Sequence, residues 1–144
     1  ERLGAVDTVV RDKTGTVTEG RPAVTDVLVT PGAEIGDAEL LRVAASLERS
    51  SEHPLAGAVV RAAEAQGLAL DVPADFAAHP GRGASATVGE HAVAAGNAAL
   101  MADWAVSVAP LAAHAQRLAE LGRTPIYVAV DGRLAGLLAV ADPV

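Results

Sequence analysis

The sequence predicts an α+β fold, a mostly antiparallel twisted sheet flanked by helices. Two tight-turn signals carry this reading. Gly89-Glu90 separates the apolar runs 84–88 and 91–95, and Asp131-Gly132 separates 126–130 from 134–140. Strands joined by turns that short run antiparallel, because a parallel pair needs a crossover of about a dozen residues or more. The helical periodicities form separate blocks, and the helices are expected to gather on one side of the sheet.

In chain order, Val6, Val9 and Val10 read as a short buried strand ahead of Asp12-Lys13-Thr14-Gly15-Thr16. Residues 24–29 alternate well enough for a half-buried strand, which Pro31-Gly32 ends. Asp37 is the expected N-cap of a helix with Leu40, Val43, Ala44 and Leu47 on one face and Glu48 at or near its end. A second helix starts at Pro54, whose missing N–H suits the first helical position; it carries Leu55, Val59, Ala62 and Ala63 and stops at Gly67. Phe76-Ala77-Ala78 leads through His79-Pro80-Gly81-Arg82-Gly83 into the first hairpin. Asn97 is the expected cap of a short helix through Leu100 and Met101 to Trp104. Residues 110–121 make a further amphipathic helix, with Leu111, Leu118 and Leu121 inward and Gly122 as its stop. Asp142-Pro143 breaks the last strand and reads as a hinge.

Composition bounds the function. At 144 residues the chain fits one domain, or one domain and a sliver of a neighbour. A net charge of −7 and the lack of a Lys/Arg cluster argue against a nucleic-acid partner, since phosphate backbones need clustered cations. With no cysteine there is no disulfide or thiolate metal site. No apolar run nears the roughly 20 residues that span a bilayer, so no direct membrane insertion of this segment is expected. The start at Glu1 and the end at Asp142-Pro143-Val144 suggest a segment of a longer chain. Aromatics make up only 2% of the residues, so a site that stacks a purine is expected to use His or Arg.

Four stretches bear on chemistry. Asp12, where a strand gives way to a loop, can serve as a nucleophile, with Gly15 allowing the turn and free backbone N–H groups available to a phosphoryl group. A polar turn after an edge strand explains the same residues. His53 lies at a helix N-terminus with Glu48 just across the connection. A neutral ring there can stack on a purine while Glu48 accepts from an exocyclic amine; the plain alternative is a helix cap. Gly81 and Gly83 allow a ligand to touch backbone, or simply make a turn, and Asn97 can cap, contact a ligand, or do both.

Taken together, these residues resemble the heavy-metal-transporting P-type ATPases, most closely the copper-type members. Asp12-Lys13-Thr14-Gly15-Thr16 is similar to their phosphorylation motif, and Ser51-Glu52-His53-Pro54-Leu55 to the signature of the metal-transporting branch. Gly81-Arg82-Gly83, Gly96-Asn97 and the closing Ala141-Asp142-Pro143 follow in the family's order. The resemblance implies three parts: residues 1–21 as the first strand and loop of a phosphorylation domain, 22–140 as the nucleotide-binding domain inserted into it, and 141–144 as the hinge back. It implies Asp12 as the phosphorylated aspartate, and Asp12 and Thr14 at Mg²⁺. It further implies Glu48 and His53 at the adenine of ATP, Gly81 and Gly83 under base and phosphates, and Asn97 on the ribose-phosphate side. The partners so implied are ATP and the phosphorylation, actuator and transmembrane domains of the same polypeptide. That makes the chain a cytoplasmic domain of an integral membrane protein.

Arg11 departs from the pattern, which has an apolar residue before the aspartate. The later phosphorylation-domain motifs are missing, so the chain is expected to bind ATP but not to turn it over. Ser51-Glu52-His53 leans towards copper, with zinc as runner-up. Two other readings stand beside this one: a soluble Asp-nucleophile phosphatase-type domain, and a non-catalytic interaction domain.

Overall fold

The structure, a computed structural model, describes residues 21–141. Asp12, Thr14, Arg11, the strand expected at 6–10 and the break at Asp142-Pro143 lie outside the described residues. Within them the strands are β1 (Ala23–Val29), β2 (Ala74–His79), β3 (Gly83–Val88), β4 (His91–Gly96), β5 (Arg123–Val130) and β6 (Arg133–Ala141). The helices are α1 (Asp37–Glu48), α2 (Pro54–Ala65), α3 (Ala98–Asp103) and α4 (Ala112–Glu120). The strands form one sheet in the order β1-β6-β5-β4-β3-β2, every neighbouring pair antiparallel. Both expected hairpins are present, and the antiparallel α+β class holds.

The helices, however, cover both faces of the sheet rather than one. The alternation along the strands shows why. In β5 and β6, Ile126, Val128, Leu138 and Val140 point into a cluster with Leu40, Val43, Leu47 and Val59 of α1 and α2. Tyr127, Ala129, Leu137 and Ala139 point the other way, onto Leu100, Met101, Leu111, Ala115 and Leu118 of α3, α4 and the residues before α4. A run such as 134–140 is apolar at every position because each face of the strand needs a cover. That is the pattern of a strand buried on both sides, and it rules out a one-sided layer.

Smaller differences have local causes. Gly36, not Asp37, is the N-cap of α1; Asp37 occupies the first turn, where its Oδ1 accepts from the Ala38 N–H at 3.1 Å. The last helix begins at Ala112, and Leu121 lies past its end, 62% exposed, whereas Leu111 and Leu118 are buried as expected. β6 keeps its ladder through Ala141, which pairs with Ala23 and Arg123, one residue beyond the expected 134–140. The strand missed altogether is β2. It pairs with β3 through a bulge between Ala74 and Ala77, and Asp75 adopts a left-handed φ of 55°. A bulge breaks the alternation by which a strand is recognised and re-aims the side chains within it.

At one end of the sheet the β5–β6 turn is tied to the start of β4. Asp131 Oδ2 lies 2.7 Å from His91 Nδ1, and Asp131 Oδ1 accepts from the Ala92 N–H at 2.9 Å. The hydrogen bond and charge of Asp131 raise the His91 pKa; the hydrogen bond of His91 and then that of the Ala92 N–H lower that of Asp131. The histidine contribution is therefore complete below its unfolded pKa and lost as pH rises through the raised folded value. The aspartate contribution is present above its unfolded pKa and lost as pH falls through the lowered one. Asp131→Asn, which tolerates the same backbone, is expected to bring the NMR titration midpoint of His91 down towards an ordinary histidine value; an unmoved midpoint refutes the coupling.

Candidate functional site

The residues singled out by sequence converge. Glu48, His53, Gly81, Gly83 and Asn97 all line one cavity of about 600 Å³, within the size range of small-molecule sites. They come from the end of α1, the start of α2, the β2–β3 connection, the start of β3 and the start of α3. Between them lie apolar walls from Leu55, Ala84, Ala95 and Ile126.

Glu48 is the chemically distinctive member. It closes a helix whose preceding turn is fully buried, and it is itself 9% exposed. Among the described residues no side chain or backbone donor lies within hydrogen-bond reach of its carboxylate. Burial without a donor disfavours the charged form and pushes the pKa up to about 7. The carboxyl group can thus accept from a ligand donor where the described residues supply none. Glu48 also borders a second cavity of about 660 Å³ beside α2 and residues 68 and 70. The arginines there are engaged: Arg49 donates to the Asp71 carbonyl at 3.1 Å and Arg61 to that of Pro22 at 2.7 Å.

His53 does cap α2. Its Nδ1 accepts from the Leu55 N–H at 3.1 Å, which leaves the ring proton on Nε2. The ring is exposed at the cavity edge while the cap fixes its orientation. Cap and ligand contact are compatible here, because they use different parts of the imidazole. Asn97 likewise caps α3 through Oδ1, accepting from the Leu100 N–H at 3.1 Å, while its Nδ2 donates to the Gly81 carbonyl at 2.8 Å. That second bond fastens the glycine loop to the helix.

The two glycines differ in what they need. Gly81 has φ 76° and open space where a Cβ would be, so only its conformation requires glycine. At Gly83 a Cβ would collide with the Ala95 carbonyl oxygen, and at Gly96 a Cβ would collide with that of Arg82. β3 and β4 therefore approach closely at this end, with backbone exposed to the cavity.

Several lining residues were not anticipated. The bulge in β2 puts Phe76 at the cavity, so the chain's one Phe is available there despite the aromatic shortage. Thr124, Pro125 and Ile126 line it too. β4 pairs with β5 only as far as Gly96 opposite Tyr127, so residues 123–126 run on beyond it with β6 on one side alone. Pro125, which has no N–H to offer a ladder, was the available signal for that gap. His79 joins the wall, its Nε2 at 2.8 Å from Ser85 Oγ. Among the described residues no cluster of three or more His, Cys, Asp or Glu could hold a metal.

Comparison with known proteins gives this geometry a family. A family model described as haloacid dehalogenase-like hydrolase matches residues 6–144. The chain is 46% identical over 145 residues to the silver exporting P-type ATPase of Salmonella typhimurium. It is 42% identical over 144 residues to copper-transporting ATPase 1 of Rhizobium meliloti. Both alignments take in 100% of this chain and only 17% of the relative's length. Among solved structures, a zinc-transporting PIB-type ATPase superposes with TM-score 0.76 and 32% identity, over 92% of this chain and 21% of that one. The N-domain of HMA6, a copper-transporting P-type ATPase, superposes with TM-score 0.65 and 27% identity, over 83% of this chain and 98% of that domain. The chain belongs to the haloacid dehalogenase-like hydrolases, in their heavy-metal P-type ATPase branch. Within that branch the described fold is that of the N-domain. Among the described residues no helix is long and apolar enough to cross a membrane.

Proposed function

We propose that residues 22–140 bind ATP for a P-type ATPase that moves a heavy-metal cation, copper first and zinc second, across a membrane. In this reading residues 1–21 open the phosphorylation domain, Asp12 accepts the γ-phosphate, and Asp12 and Thr14 lie at Mg²⁺. The chain after β6 returns to that domain, and the whole segment sits on the cytoplasmic side. The adenine lies against the His53 ring, with Glu48 accepting from its exocyclic amine. Gly81 and Gly83 bring backbone close to base and phosphates, and Asn97 holds the loop on the ribose-phosphate side.

The observation that carries the proposal is the convergence of five residues from three stretches, 48–53, 81–83 and 97, on one cavity, one of the five being a carboxyl group with no described donor. A polar turn or a set of unrelated caps has no reason to meet there.

The chain alone is expected to bind ATP saturably in a calorimetric titration and to release no phosphate from it. Amide shifts should move at Glu48, His53 and Gly83. Release of phosphate from small phosphomonoesters would favour the soluble phosphatase reading, and unmoved amides an interaction domain without nucleotide.

A further inference from the structure

Arg82 is the one Lys or Arg among the described residues lining the cavity; the other titratable side chains there are Glu48, Glu52, His53 and His79. A nucleoside polyphosphate brings several negative charges, and a guanidinium stays protonated at any working pH. Its planar fork also matches two phosphate oxygens at once.

The guanidinium is already engaged. Nη1 of Arg82 pairs with Oδ2 of Asp103, the last residue of α3, and both side chains are about half exposed, at 48% and 50%. The backbone of Arg82 is held at the other end of the same helix. Its carbonyl accepts from the Asn97 N–H at 2.9 Å and its N–H donates to the His79 carbonyl at 2.8 Å. The loop is thus anchored at the start of α3 while the side chain reaches to its end. That is a fixed backbone with a displaceable charge, since half-exposed ion pairs are weak and exchange readily.

We propose that Arg82 is the phosphate-binding cation of this cavity and that Asp103 is its internal competitor, holding the guanidinium and attenuating its charge until a polyphosphate takes it. The inference rests on the nucleotide reading of the cavity and adds the source of discrimination between a nucleotide and its nucleoside. Asp103 keeps the unliganded site from acting as a general anion trap.

The test is calorimetric titration of the chain with ATP and, separately, with adenosine. Arg82→Ala should weaken ATP binding about tenfold and leave adenosine within about twofold, because a charge-assisted hydrogen bond is lost only from the phosphates. Arg82→Lys should recover part of the loss. Asp103→Asn should tighten ATP several-fold and leave adenosine unchanged, and the salt dependence of ATP binding should shrink in Arg82→Ala. Thermal melts of each variant establish that the fold persists. Equal changes for ATP and adenosine, no change for ATP in Arg82→Ala, or weaker ATP binding in Asp103→Asn would overturn the assignment while the nucleotide reading stands. A wild-type chain that binds neither ligand overturns both.

Discussion

Replacing His53 with Asn is expected to weaken ATP binding by about ten- to a hundredfold while leaving the melting temperature nearly unchanged. The size follows from the loss of one base-stacking surface, worth roughly 1–3 kcal/mol. The choice of Asn follows from the structure. His53 Nδ1 accepts the Leu55 N–H at the start of α2, so His53→Ala would remove a helix cap as well as a ring. Loss of a cap costs about 1 kcal/mol, and a weaker fold would blur the binding result. Asn keeps a cap acceptor and removes the ring. Phe76 also lines the cavity and is the ring left for any stacking that survives. Unchanged affinity in His53→Asn would sink the assignment of the ring to the base.

The second large effect belongs to Glu48. Its folded pKa of about 7 lies above the ordinary value of 4.5, and burial is the cause. In the window between those values the folded chain holds a proton that the unfolded chain has lost. Stability therefore falls as pH rises, from full below about 4.5 to a constant deficit above about 7. The total is on the order of 3 kcal/mol at about 1.4 kcal/mol per pH unit. Glu48→Gln keeps the shape without the charge, so its advantage over the wild type should be small at pH 5 and near its maximum at pH 8. Urea denaturation of both chains at several pH values reads this difference directly, and the lowered carboxylates elsewhere cancel. Parallel curves would refute the buried, donor-less carboxyl group.

The same group links fold to function. A ligand amine donating to Glu48 favours the ionised form, so binding below pH 7 should release protons. Calorimetric enthalpies that vary with the ionisation heat of the buffer would record it. In the nucleotide reading, a ligand donor to Glu48 offsets part of the cost in stability that its burial carries.

The legible part of the site was its chemistry. Helix ends and glycine loops are local events: Pro54 after His53, Asn97 ahead of Leu100, and the Gly81–Gly83 spacing each declare themselves within a few residues. Five of the cavity's residues could therefore be named from short stretches. Phe76 could not, because a bulge with a left-handed Asp75 hides both the strand and the direction of the side chain. Thr124, Pro125 and Ile126 escaped for a different reason. Their exposure to the cavity depends on where β4 stops, which is a property of another segment.

By itself the sequence determined the antiparallel hairpins, the four helices and the residue types that can face a nucleotide, since turn chemistry, capping and periodicity act within a turn or two of the chain. Only the tertiary structure decided that helices cover both faces, that Glu48 is buried without a described donor, and that Arg82 is tied to Asp103 across α3. Those depend on which segments meet. Burial and charge pairing are set by neighbours distant in sequence, and no local pattern records them.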